Sequence, residues 1–152
     1  MTDYGDITAW IKITYGSDTL YIHCEDWSYD NKDPSPIIID YPNFGHYGKT
    51  LKAETVTINL TNAYVTNKTD WETLKTQLKA IRNSSTQATL QIRVSTDGAT
   101  TPTYGYEKYD GTNTTMPVLI VDMKGFTKRY RGNTTQYLIK KITLRQIGAL
   151  TA

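Results

Sequence analysis

Few residues in this sequence could form a structural zinc site. The chain has two histidines, His23 and His46, and a single cysteine, Cys24. A structural zinc site takes about four such ligands, so the sequence does not provide one. Motifs for a nucleophile elbow, a phosphate-binding loop or a dinucleotide-binding turn are also missing. We therefore predict that the protein has no metal, no cofactor and no enzymatic activity.

Aromatic residues give a clearer signal, because five of them fall in one broken stretch, residues 26–48. This segment also holds three prolines, and each proline restricts its own backbone and that of the residue before it. Long loops rich in aromatic side chains are often binding surfaces. We predict a long irregular arm that contacts another subunit; the alternative is a loop folded over the end of the domain. The predicted contact residues are Trp10, Trp27, Tyr29, Tyr41, Phe44 and Tyr47.

One segment has the pattern of a helix, and these surfaces must be positioned around it. Thr69 and Glu72 are spaced as in a capping box. Apolar residues then recur at spacings that place them on one helical face, namely Trp71, Leu74, Leu78 and Ile81. We predict a single helix over about 69–82. Its expected partners on strands are Val56, Ile58, Leu90 and Ile92.

The rest of the chain has the alternation and the turn residues of β-strands. The predicted strands cover residues 7–14, 19–24, 51–60, 88–95, 103–109, 118–123, 126–131 and 136–147, with Ile37–Asp40 as the one strand inside the arm. A bulge near Lys140 and Lys141 would reconcile the two phases of the last strand. The predicted fold class is mainly β, an antiparallel barrel or sandwich with one packed helix, in a single domain over residues 1–152.

Charge and composition argue against several classes of protein. The formal net charge is +2 and the basic residues are scattered, which does not suggest nucleic-acid binding. No apolar run approaches the roughly 18 residues of a membrane span, and the amino terminus does not begin like a signal peptide. We expect a soluble protein made in a cytoplasm. Cys24 has no partner for an intramolecular disulfide, and we predict that it is a buried structural thiol.

The order of the predicted elements resembles that of a known group of assembly proteins. Two strands are followed by the arm, the strand LKAETVTINL, the helix DWETLKTQLKAI, a strand, a tyrosine-rich hairpin, VLIVDMKGFTKRY and the closing strand LIKKITLRQIG. This layout is similar to the β-barrel-plus-helix of tail tube proteins and distal tail proteins in tailed phages, and of their relatives in contractile injection systems. The resemblance covers nearly the whole chain and is one of layout.

The resemblance implies a structural virion protein located in a phage tail. Subunits would form rings, usually hexameric and able to stack, whose sheets join around a channel through which DNA passes only as cargo. The arm would contact a neighbouring subunit or the next ring, and other tail or baseplate proteins would be partners. The chain shows no separate second domain, which favours a tube subunit over a distal tail protein.

Two other interpretations remain open at the level of sequence. A carbohydrate-binding β-sandwich could use Trp10, Trp27 and the tyrosines of segments 26–48 and 103–109 to stack on sugar rings, although such a sandwich seldom needs a capped amphipathic helix. A tail-completion or head–tail connector protein would also form rings. Ring formation by the purified protein separates the sandwich from the virion proteins.

Overall fold

Ten strands and one helix make up most of the described part of the chain. This computed structural model describes residues 2–5, 9–32, 37–40, 46–49, 55–83, 87–95 and 104–152. Its elements are β1 (Thr2–Tyr4), β2 (Ile11–Tyr15), β3 (Asp18–Lys32), β4 (Ile37–Asp40), β5 (His46–Lys49), β6 (Thr55–Val65), α1 (Lys68–Asn83), β7 (Ala88–Ser95), β8 (Tyr104–Tyr106), β9 (Met116–Arg131) and β10 (Thr134–Gln146). The predicted class, mainly β with one packed helix, is confirmed. Within these ranges no helix combines the length and the apolar character needed to cross a membrane.

Six strands form a closed circuit of antiparallel pairs. Strand β3 pairs with β2, β2 with β7, β7 with β9, β9 with β10, β10 with β6, and β6 again with β3. The pairing of β7 with β9 is short and runs only from Ala88–Val118 to Leu90–Met116. Beside the circuit, β1 pairs in parallel with β3 and β8 pairs with β7. The architecture is a barrel with one narrow seam, close to a sandwich in which the sheet β3–β6–β10–β9, here called the main sheet, faces β2 and β7.

The strands of the main sheet define two ends of the molecule. At the lower end, Lys32 of β3 pairs with Thr55 of β6. At the upper end, Val65 of β6 pairs with Tyr137 of β10. Because a strand rises about 3.3 Å per residue, these two ends of β6 lie roughly 33 Å apart. Helix α1 follows the upper end of β6 and covers the upper part of the main sheet.

The helix packs by the face that its residue spacing predicts, since its buried residues are Trp71, Leu74, Leu78 and Ile81. Leu74 and Leu78 line a narrow cleft together with strand residues that include Ile22, Ala63, Val65 and Ile139. The expected partners Val56, Ile58, Leu90 and Ile92 are buried in the same core. In β6, Val56 and Ile58 lie nearer the lower end, so the helix meets the other half of that strand.

The helix begins at a different cap from the predicted one. The side-chain oxygen of Asn67 accepts the backbone N–H of Thr69 at 2.8 Å and that of Asp70 at 3.3 Å. The predicted capping box is therefore wrong, and Thr69 lies inside the first turn. Asparagine is at least as favourable as threonine at this position, and Asn67 comes soon after β6 ends. Glu72 forms an ion pair with Lys75 at 3.1 Å instead.

A row of four residues across the main sheet changes which side chains face the core. The register on either side places Glu25 opposite Asn62, Asn62 opposite Lys140, and Lys140 opposite Gly125. We refer to these four residues as the switch row. In β3, β6 and β10 the row residue and one neighbour are both turned away from the core, so the inward-facing positions change phase across the row. In β9 no residue above Gly125 is buried. The same face of the sheet therefore packs on the barrel interior below the row and on α1 above it.

Left-handed backbone conformations accompany this change of phase. Asn62 has a φ of 51° and Gly125 has a φ of 74°. A Cβ atom on Gly125 would lie 2.8 Å from the side chain of Lys140, so this position needs glycine for space as well as for conformation. The phase change lies where the sequence predicts it, but the predicted bulge is wrong. Adjacent strands change phase together and keep their pairing, and the register of β10 with β9 shifts only between Thr143 and Leu144.

The prediction of an irregular arm over residues 26–48 is wrong for its first part. Residues Asp26–Lys32 continue β3 and pair with β6 along its lower half. Strand geometry suits this stretch because Trp27 and Tyr29 alternate with polar residues and pack against the core. The expected strand Ile37–Asp40 is present and pairs with β5 in a separate two-stranded sheet. Residues 33–36 and 41–45 lie outside the described residues.

Candidate functional site

Two of the predicted contact residues meet in the lower part of the main sheet. The rings of Trp27 and Tyr29 stack with centroids 6.0 Å apart and planes at 8°. The ring of Tyr29 meets that of Tyr109 edge-on at 6.1 Å. Its hydroxyl donates a hydrogen bond to Oε1 of Glu107 at 3.2 Å. We refer to these four residues as the lower cluster; it joins β3 to the segment that follows β8.

Tyr109 anchors the lower cluster in the core. Its side chain is buried, and its hydroxyl donates a hydrogen bond to the carbonyl oxygen of Leu90 at 3.0 Å. Burial, followed by the nearby charge of Glu107, raises the pKa of Tyr109, and the same causes raise the pKa of Tyr29. Both hydroxyls therefore stay protonated in the folded protein and serve as donors. The lower cluster is a contact in which both tyrosine hydroxyls are hydrogen-bonded within the subunit.

The other predicted contact residues are not brought to this cluster by any contact of the described residues. Trp10 is half-buried just before β2, and its carbonyl oxygen accepts the N–H of Arg93 at 2.7 Å. Tyr47 belongs to β5, but its side chain lies outside the part of the chain that the structure describes, as do Tyr41 and Phe44 entirely. The role of these residues in subunit contacts stays a prediction.

A second aromatic cluster lies at the upper end, between α1 and the hairpin of β9 and β10. The ring of Trp71 is 5.8 Å from that of Tyr137 and 6.0 Å from that of Phe126. Lysines lie over these rings: Nζ of Lys75 is 5.2 Å from the Trp71 centroid, and Nζ of Lys79 is 5.6 Å from the Phe126 centroid. Contacts of this kind are worth about 0.5–1 kcal/mol each at exposed sites.

These side chains surround an open groove of about 380 Å³. Its lining residues are Trp71, Lys75, Phe126, Thr127, Lys128 and Tyr137. We refer to these residues, together with Lys79 over the ring of Phe126, as the upper groove. Phe126 is 41% exposed and the neighbouring Tyr130 is 69% exposed, so apolar surface remains open to solvent. Sequence reasoning missed this groove. The alternation of Phe126, Lys128 and Tyr130 places them on one side of β9, but it does not show that α1 packs beside them.

The main sheet has an unpaired stretch at each of its two edges. Strand β9 pairs with β7 only up to Val118, and β3 pairs with β2 only up to Ile22. Beyond these points, no strand of the described residues covers the second side of Leu119–Arg131 in β9 or of His23–Lys32 in β3. Exposed backbone groups along such edges pair readily with another strand.

The two open edges carry opposite charge. On β3 the edge has three acidic residues and one lysine, whereas on β9 it has one aspartate and four basic residues. The side chains of Asp26 and Asp30 on β3 are exposed, as are those of Lys124 and Lys128 on β9. Lys124 lies 3.3 Å from Asp122 of its own strand. The edges are therefore electrostatically complementary to each other rather than each to itself.

Glu25 forms ion pairs across the outer face of the main sheet. Its carboxylate accepts a hydrogen bond from the side-chain amide of Asn62 at 2.7 Å and contacts Arg129 and Arg131 of β9. The hydrogen bond from Asn62 and then that from Arg129 lower the pKa of Glu25. This acidic residue is thus already paired within the subunit, and the complementarity of the edges rests mainly on the other side chains.

The residues that could bind a metal are dispersed in the described ranges, where no three His, Cys, Asp or Glu side chains lie together. Cys24 is buried, as predicted, and burial, with a smaller effect of Asp26, raises its pKa to about 11. It is therefore a thiol at neutral pH. His23 stacks on the ring of Tyr64 at 5.6 Å.

Comparison of the chain with protein-family models, with curated proteins and with solved structures gives no match.

Proposed function

We propose that the protein is a structural, non-enzymatic subunit that assembles into rings, as in a phage-like tail tube or distal tail. The observation that carries the proposal is the main sheet with its two long and oppositely charged edges, which no strand of the described residues covers. An open edge is a hazard for a monomeric protein and is usually shortened, covered or blocked. Here β9 instead carries three of the four large apolar residues that are exposed among the described residues, Val121, Phe126 and Tyr130.

The direction of the strands fits a closed ring. The main sheet runs β3, β6, β10, β9 with every neighbouring pair antiparallel, so β3 and β9 themselves point in opposite directions. Rotation about an axis roughly parallel to the strands would bring β9 of one subunit beside β3 of the next in antiparallel pairing. A contact between two different edges is heterologous, and such contacts close into rings when the rotation allows it. The resemblance in layout suggests six subunits.

The outer face of the main sheet suits the lining of a channel. Thr57, Asn59, Thr61 and Thr143 lie on this face, and the Thr143 hydroxyl donates to the Asn59 side-chain oxygen at 3.0 Å. Short polar side chains of this kind offer little apolar surface to a passing polymer. In this proposal DNA is cargo, the site of action is the virion tail, and other tail or baseplate proteins are the remaining partners.

The hairpin turn indicates where the edge can be blocked without breaking the subunit. Gly132, with a φ of 58°, and Asn133 connect the paired residues Arg131 and Thr134. The two residues that flank a two-residue turn form backbone hydrogen bonds with each other. Along a strand, successive N–H groups then point alternately toward the partner strand and away from it. The N–H of Lys128 therefore points away from β10 and toward the open edge.

The test is proline at position 128, with Lys128→Ala as the matched control. Proline removes an N–H that the subunit itself does not need, and proline is tolerated at strand edges for that reason. We expect Lys128→Pro to remain folded by circular dichroism but to lose ring formation in sedimentation, while Lys128→Ala still forms rings. Rings of Lys128→Pro equal to those of the control would contradict assembly through this edge.

Residues 34–47, which include the rest of the predicted arm, give a second test of assembly. A variant that lacks Pro34–Tyr47 is expected to keep the barrel, because the closed circuit of strands and α1 lie outside the deletion. If this segment contacts other subunits, the variant loses assembly while its circular dichroism is retained. If it unfolds, the segment belongs to the core; if it assembles normally, the segment is a surface loop.

A further inference from the structure

The upper groove holds two lysines that have no ionic partner among the described residues. Among the ion pairs of the described residues, Lys75 pairs with Glu72, but neither Lys79 nor Lys128 has a carboxylate partner. Each instead lies over an aromatic ring, Lys79 over Phe126 and Lys128 over Tyr130. The groove thus combines open aromatic surface with positive charge. Its chemistry fits an acidic group carried on a compact protein segment.

A matching acidic turn lies at the lower end of the same molecule. Asp110 accepts hydrogen bonds from the backbone N–H groups of Thr112 at 2.9 Å and Asn113 at 2.7 Å. The backbone N–H of Tyr109 donates to the carbonyl oxygen of Asn113 at 3.0 Å, which closes the turn. Residues 110–112 are exposed, and Tyr109 fixes their base in the core. This segment, residues 109–113, is the lower turn.

The carboxylate of the lower turn is charged and has no ion-pair partner among the described residues. The hydrogen bonds from Asn113 and Thr112 lower the pKa of Asp110, so it is an anion at neutral pH. Lys108 is the basic residue next to the turn, whereas Glu107 and Asp30 add negative charge near the lower cluster. The two ends of the molecule therefore carry opposite charges that no ion pair of the described residues neutralises.

We propose that the upper groove receives the lower turn of a second copy of this chain, with Asp110 placed beside Lys79 and Lys128. Because the two surfaces lie at opposite ends of the strands, the contact repeats head to tail along the strand direction. The inference rests on the proposed function in one respect: rings, rather than single subunits, are the units that stack. Many weak contacts around a ring then act together, so each one needs little affinity.

Reversing the charge on each side of the contact, alone and then in a mixture of the two variants, tests the proposal. Lys79→Glu alters the groove, and Lys68→Glu is the matched control on an exposed first-turn position of the same helix. Asp110→Lys reverses the turn, and Asp110→Asn removes the charge while keeping an oxygen acceptor for the turn. We expect Lys79→Glu and Asp110→Lys each to raise the concentration needed for stacking by roughly tenfold or more, because like charges then face each other. Lys68→Glu should stack like the unaltered protein.

Mixing gives the decisive result. Rings of Lys79→Glu and rings of Asp110→Lys, prepared separately, should stack with each other in electron micrographs at a concentration at which neither variant stacks alone. Failure of the mixture, or unaltered stacking by Lys79→Glu, would overturn the inference. If the unaltered protein forms rings that never stack, this inference fails and the proposed function stands. If subunits join end to end without rings, the proposed function fails and this inference stands; a protein that is monomeric throughout contradicts both.

Discussion

The lower cluster and the upper groove use similar aromatic residues in different ways. In the lower cluster the hydroxyls of Tyr29 and Tyr109 donate to groups of the same subunit, and the rings cover one another. In the upper groove the rings of Trp71 and Phe126 lie beside lysines, and part of the surface stays open. The bonded hydroxyls favour a structural role for the first. For the second, Lys79 has no ion-pair partner among the described residues and lies on open apolar surface, which supports the proposal of a contact surface.

The largest expected effect comes from removing the support of the upper groove. Leu78 is 1% exposed and lies on the face of α1 that packs on the main sheet. Truncating such a buried leucine costs about 2–5 kcal/mol. We expect Leu78→Ala to lower the free energy of unfolding by an amount in this range in a urea titration. Its neighbour Lys79→Ala, on the exposed face, should change it little; equal effects would contradict the assignment of the helix faces.

The next largest effect on stability comes from removing one tyrosine hydroxyl, and it should differ between the lower cluster and the upper groove. Tyr109→Phe leaves the buried carbonyl of Leu90 without its donor, which costs about 1–3 kcal/mol. Tyr137→Phe in the upper groove should cost less, since no hydrogen bond of its hydroxyl is seen within the described residues. Thermal unfolding of both variants measures the difference. A Tyr137→Phe variant less stable than Tyr109→Phe would reverse the comparison.

Alkaline pH should lower the stability of the folded protein through the tyrosines of the lower cluster and the buried Cys24. The pKa of Tyr109 and that of Tyr29 are raised above the ordinary value of 10.0, and that of Cys24 is raised from 9.0 to about 11. The unfolded chain therefore loses these protons first, so stability is full below pH 9 and falls as the pH rises through 9 and 10. Urea midpoints between pH 7 and 11 measure the decline. Tyr109→Phe should make it shallower; an unchanged slope would show that Tyr109 does not contribute.

The smallest expected effect is that of one lysine over a ring. Lys75→Met keeps an apolar side chain beside Trp71 but removes the charge that lies over the ring and pairs with Glu72. Both interactions are exposed, so we expect a loss of about 1 kcal/mol or less in the free energy of unfolding. A loss comparable to that of Leu78→Ala would mean that the groove is part of the core.

The sequence predicts the helix face and most strands because those patterns are local. The buried stripe of α1 and the strand Ala88–Ser95 follow directly from residue spacing. The lower half of β3 was missed because its buried positions change phase at Glu25, which hides the alternation of Trp27 and Tyr29. The upper groove was missed for another reason. It forms only when α1 packs beside β9, and a single sequence does not show which distant elements meet.

The central claim is that copies of this chain close into a ring through the two edges of the main sheet. The most direct measurement is native mass spectrometry of the untagged protein over a concentration series. We expect one dominant closed species, which by the resemblance holds six copies of the 17.2 kDa chain. Lys128→Ala should form this species and Lys128→Pro should not. A monomer at every concentration, or the same oligomer from both variants, would contradict the account.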